Sequence, residues 1–71
     1  MKVYDIVSKF SATTNAKVYV KVFNQTSRMR EEVYLDRHSY LHPEKTEYPF
    51  GATVTQVAVA NNVMIIYATV K

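Results

Sequence analysis

The sequence predicts a small α+β fold, a short N-terminal helix packed on a mostly antiparallel sheet of about four strands, and three observations carry that prediction. Val3, Ile6, Val7 and Phe10 recur at helical spacing. Lys17–Phe23 alternates valine with longer, more polar side chains. Thr53–Lys71 reads as a hairpin in which Asn61-Asn62 separates two strand-like runs. A small closed or half-closed β-barrel is the alternative, if the first segment is a strand or the sheet curls.

The first element is a helix because Val3, Ile6, Val7 and Phe10 fill i, i+3, i+4 and i+7 of one face, whereas a strand would put Asp5 beside Val3 and Val7 in the core. Residues 2–11 are predicted as this helix. It is too short to stand alone in water and must be held by packing on a sheet. Ile6 and Phe10 are its expected contacts with the valine face. Ser11-Ala12-Thr13-Thr14-Asn15 is turn chemistry.

The first strand, Lys17–Phe23, points Val18, Val20 and Val22 one way and Lys17, Tyr19, Lys21 and Phe23 the other. A turn over Asn24-Gln25-Thr26-Ser27 leads into a partner strand around Met29–Asp36. Met29, Glu31, Val33 and Leu35 share one side of it, and Glu31 spoils the apolar pattern near the start. Over residues 37–51, Pro43 and Glu44 suit the first turn of a short helical excursion that Pro49 stops. Leu41, Tyr48 and Phe50 are available to anchor this segment on the sheet.

In the C-terminal hairpin, asparagine tolerates the positive φ that a tight two-residue loop of the primed type requires. With Asn61 and Asn62 as the loop, Ala60 faces Val63, Val59 faces Met64 and Val57 faces Ile66. One face then carries Val57, Val59, Met64, Ile66 and Val70. The other carries Val54, Ala58, Ala60, Val63, Ile65 and Tyr67. A hairpin covered on one side alternates apolar with polar, so this pattern implies cover for both faces and a protein that works by binding. Val63, Ile65 and Tyr67 are the candidate self-association surface of a homodimer or small oligomer.

The 71 residues make one domain with a core near the lower limit for independent folding. Without cysteine, neither disulfides nor thiolate zinc sites can staple it, which fits a reducing compartment. The N-terminus lacks the apolar core of a signal peptide, and the longest apolar run, Val63 to Ala68, is far short of the ~20 residues that span a bilayer. A soluble cytoplasmic protein with no membrane contact is the expectation. The net charge of +3 is uneven: residues 1–30 carry about +5 and residues 31–48 about −3. The two parts either lie beside one another with their charges paired or solvated, or present a basic face to an acidic partner.

Little here can carry catalysis. His38 and His42 stand four apart, with Asp36 and Glu44 beside them. A metal would need a helix across them, and surface-loop histidines are the simpler reading. The single glycine, Gly51, excludes a glycine-rich phosphate loop. No enzyme activity, catalytic residue, metal or cofactor is predicted. The face of Lys17, Tyr19, Lys21 and Phe23 is the candidate partner-binding site. Alternating cation and ring is what single-stranded nucleic-acid platforms use, ammonium groups meeting phosphate and rings stacking on bases. The simpler reading is a soluble strand face of high β-propensity, and a protein contact is the other alternative.

The chain resembles small uncharacterised accessory proteins of bacteriophages and prophages of Gram-positive bacteria. The likeness is carried by the helix Val3-Tyr4-Asp5-Ile6-Val7-Ser8-Lys9-Phe10, by the Thr14-Asn15 turn into Ala16-Lys17-Val18-Tyr19-Val20, and by Val57-Ala58-Val59-Ala60-Asn61-Asn62-Val63-Met64-Ile65-Ile66-Tyr67. It covers about half the chain and leaves out residues 28–50. The resemblance implies a protein-binding module that modulates or inhibits a host protein or defence system, and it transfers no functional residues.

Overall fold

A computed structural model describes residues 1–11 and 15–71. The order of elements is α1 (Val3–Val7), β1 (Lys17–Asn24), β2 (Arg30–Leu35), α2 (Arg37–Leu41), β3 (Thr53–Ala60) and β4 (Val63–Val70). The strands form one open sheet in the order β2-β1-β4-β3. Its two ends, β2 and β3, are separate edges, so the fold is the predicted α+β sheet and not a barrel. Each hairpin is antiparallel, and the hairpins join through a parallel pairing of β1 with β4 at the centre.

The core lies on the valine face of this sheet. Val18, Val20 and Val22 of β1, Leu35 of β2, and Ile66 and Ala68 of β4 are buried together with Val3, Val7, Tyr40, Phe50 and Ala52. Both helices and the segment before β3 therefore cover one face, and burying each large apolar side chain there contributes roughly 1.5–3 kcal/mol.

Helix α1 is shorter than the periodicity predicts. Regular turns end at Val7, and the chain reaches Phe10 through tighter bonds, Lys9 N–H to the Ile6 carbonyl and Phe10 N–H to the Val7 carbonyl. Val3 and Val7 are the fully buried positions, while Ile6 and Phe10 are only partly buried. Phe10 meets the Tyr40 ring edge-on at 5.2 Å. The N-terminus is fixed by strand-like bonds that the helical pattern conceals. Val54 donates to the Met1 carbonyl, Val3 donates to Ala52, and Tyr4 donates to Phe50. The turn expected over Ser11–Asn15 falls in part outside the described residues.

The turn between β1 and β2 follows its chemistry: the Asn24 side chain accepts from the Thr26 and Ser27 N–H groups at 2.9 and 3.0 Å. The helical excursion lies earlier than expected. Asp36 caps α2 by accepting from the Ser39 N–H at 2.8 Å, so the helix runs before Pro43. Pro43 follows its end, where a residue that cannot continue a helix belongs. Leu41 and Phe50 pack against the core as expected. Tyr48 does not; it is 51% exposed and its hydroxyl donates to the Glu31 carboxylate at 2.9 Å. Partial burial, then that hydrogen bond, pushes the Tyr48 phenol up to about 12. Glu31, the misfit on the apolar side of β2, is an exposed edge residue tied to the loop that precedes β3.

The C-terminal hairpin has the predicted bounds, loop and register. Asn61 and Asn62 have φ of 50° and 64°, and Ala60 pairs Val63, Val59 pairs Met64 and Val57 pairs Ile66. One assignment changes. A bulge between Val54 and Gln56 shifts the strand by one residue, so Val54 pairs Ala68 and packs against the core instead of facing outward.

Candidate binding face

The registers of the three strand pairings line up residues across the sheet face opposite the helices. Tyr34, Tyr19, Ile65 and Ala58 form one row. Glu32, Lys21, Tyr67 and Gln56 form the next, then Arg30, Phe23 and Thr69. Lys17 and Val63 sit side by side at the far end. Strand alternation puts all of these side chains on the surface away from the valine core. Both helices, Phe50 and Ala52 are on the other side, so no described helix covers this face.

The long side chains of this face cover one another instead. Tyr19 and Tyr34 stack at 5.2 Å with a tilt of 48°. The Lys21 ammonium lies 5.8 Å from the centre of the Tyr67 ring, and the Arg30 guanidinium 5.5 Å from that of Phe23. Such cation–ring contacts are worth ~0.5–1 kcal/mol at exposed sites and hold the rings in place. Val63, Ile65 and Tyr67 are half-buried. An open depression of about 540 Å³ has Lys21, Phe23, Arg30, Glu32, Tyr67 and Thr69 among its lining.

All four residues singled out on the first strand, Lys17, Tyr19, Lys21 and Phe23, share this face. The three hairpin residues singled out for self-association, Val63, Ile65 and Tyr67, share it too, so two separately read surfaces are one. Tyr34 and Arg30 complete it and were missed. The alternation of β2 puts them on one side, but only the registers bring them against Tyr19 and Phe23. The face carries Lys17, Lys21 and Arg30 against Glu32.

Away from this face, α2 places His38 one turn before its C-cap His42, with the rings 4.8 Å apart. The expectation of loop histidines changes in part: His38 lies within α2, while His42 is the non-helical residue just past its end. Asp36 is engaged as the helix cap, and among the described residues no group of three or more His, Cys, Asp or Glu side chains could hold a metal ion. No described helix is long and apolar enough to cross a membrane. No family model, curated protein or solved structure matches the chain.

Proposed function

We propose that the chain is a non-enzymatic protein-binding module that works through the open sheet face and modulates or inhibits a protein in the cytoplasm of a bacterial host. The observation that carries this reading is the make-up of that face. Its middle is Tyr19, Ile65 and Tyr67 with the single cation Lys21 beside them, and its border carries the charges of Lys17, Arg30 and Glu32. Specific protein interfaces are built this way, with tyrosine and arginine enriched and a polar border. The excess of cations favours an acidic partner surface. The resemblance to phage accessory proteins supplies the host context.

The test is capture from a Gram-positive bacterial lysate by the wild type and by Ile65→Lys, a change at the half-buried centre of the face. A protein retained by the wild type and released by Ile65→Lys, with equal helix and strand content in both, supports the reading. Equal retention by both proteins contradicts it.

The pairing of Lys21 with Tyr67 and Arg30 with Phe23 favours a second reading, a single-stranded nucleic-acid platform. Phosphate contacts weaken steeply as salt rises, and an apolar protein contact does not. Gel-shift with single-stranded DNA and RNA across a salt series separates the two. Retention that survives high salt and nuclease treatment favours a protein partner.

A further inference from the structure

The two edges of the sheet differ sharply. Edge strand β2 carries Arg30, Glu31 and Glu32, and its Glu31 is bonded by Tyr48. Charges of this kind keep a strand edge from pairing with another chain. Edge strand β3, Thr-Val-Thr-Gln-Val-Ala-Val-Ala, has neither charge nor proline over its eight residues. Part of this edge already accepts a strand, because Met1 and Lys2 pair with its start at Thr53 and Val54. The stretch from Gln56 to Ala60 lies past that pairing and is exposed throughout. Val57 and Val59 are 40% and 66% exposed although they lie on the core side of the sheet.

The phase of the ladder fixes which backbone groups face outward. A two-residue loop with both residues at positive φ makes its flanking pair, Ala60 and Val63, a hydrogen-bonded one. Ala58 then also bonds inward to β4, and the N–H and C=O groups of Val57 and Val59 point away from the sheet.

We infer that β3 pairs antiparallel with β3 of a second copy, about a two-fold axis at Ala58. This inference does not rest on the proposed function. In that register Val57 of each copy exchanges two backbone hydrogen bonds with Val59 of its partner, which satisfies all four outward groups on each copy. Valine meets valine on one side of the sheet, and Ala58 meets Ala58 on the other without obstruction. A second copy also brings an uncharged strand, so no charge is desolvated without a counterion. The product is a continuous eight-stranded sheet. Because the axis stands perpendicular to the sheet, both open faces lie on the same side, giving a two-site surface. The paired stretch is short, which puts the contact at the small end of interface sizes and makes association concentration-dependent.

The chain has no cysteine, so single cysteines report the register cleanly. Ala58 residues in a non-hydrogen-bonded pair lie ~4.5 Å apart at Cα, within disulfide reach. Ala60 residues of the two copies are offset along the strands and lie beyond it. The experiment is sedimentation equilibrium from about 10 μM to about 1 mM, with oxidation of Ala58→Cys and Ala60→Cys alongside. The expected result is a monomer–dimer equilibrium in the wild type, faster cross-linking of Ala58→Cys, and association at least about tenfold weaker in Val59→Lys with unchanged circular dichroism. A wild type that stays monomeric throughout overturns the inference. So does equal cross-linking of the two cysteine variants, and so does a Val59→Lys protein that associates as the wild type does.

Discussion

Tyr40 shows how a single side chain ties the small core together. It is 2% exposed, sits on α2, and receives Phe10 edge-on from the segment after α1. Tyr40→Ala should cost about 3–5 kcal/mol, because a ring-sized cavity opens where both helical segments meet; the urea midpoint reads it. Asp36 carries a pH dependence. The backbone hydrogen bond from Ser39 chiefly holds its carboxyl below the ordinary value of 3.8. A depressed folded-state pKa contributes stability that is present above the unfolded value and lost as pH falls through the folded one. Asp36→Asn keeps a capping side chain without the titration. The wild type should therefore lose more of its urea midpoint than Asp36→Asn between about pH 5 and about pH 2. An equal loss would mean that the cap contributes nothing to acid stability. Most residue-level roles were legible where a pattern defines them, as for Val18, Val20 and Val22. Glu31 was not, since a misfit in a strand pattern becomes intelligible only when its partner, Tyr48, arrives from a distant loop.

At the scale of elements, β1 and the C-terminal hairpin were legible because alternation and the Asn61-Asn62 loop are local signals. Helix α1 was legible in kind and not in length, since bonds from Met1, Val3 and Tyr4 to residues 50–54 fix where it starts and what it buries. The excursion at Arg37–Leu41 lies before Pro43 because the Asp36 cap, and not the Pro43 start signal, sets its first turn. The β3 bulge leaves no mark in the apolar pattern, and strict alternation alone would put Val54 on the outward face. The element-level prediction follows from the burial found. Val7→Asp should abolish cooperative thermal unfolding, as an unpaired charge would have to enter a site 1% exposed. Ile6→Asp, at a partly buried position, should lower the melting temperature and leave the transition cooperative. Indistinguishable melting curves for the two variants would show that α1 does not dock through Val3 and Val7.

At the scale of the molecule, both helices and residues 50 and 52 pack on one face of the sheet. The opposite face was legible only in pieces, as a Lys/Tyr strand and an apolar hairpin. What joins the pieces is the parallel pairing of β1 with β4, a contact between residues far apart in sequence that no local pattern encodes. Lys17→Glu with Lys21→Glu should keep the fold but cost about 1 kcal/mol, nearly all of it at position 21, where the Tyr67 contact is lost and a carboxylate meets Glu32 across the strand pair. The same pair of changes should weaken retention of an acidic partner; unaltered retention would remove these two cations from the account. The central claim is that this open face is the working surface. Amide chemical-shift mapping of the labelled protein, titrated with the partner retained from lysate, tests it most directly. The account predicts that the perturbed amides cluster at Tyr19, Lys21, Phe23, Tyr34, Ile65 and Tyr67. Perturbations confined to α1, α2 and residues 43–52, with this face unmoved, would contradict it.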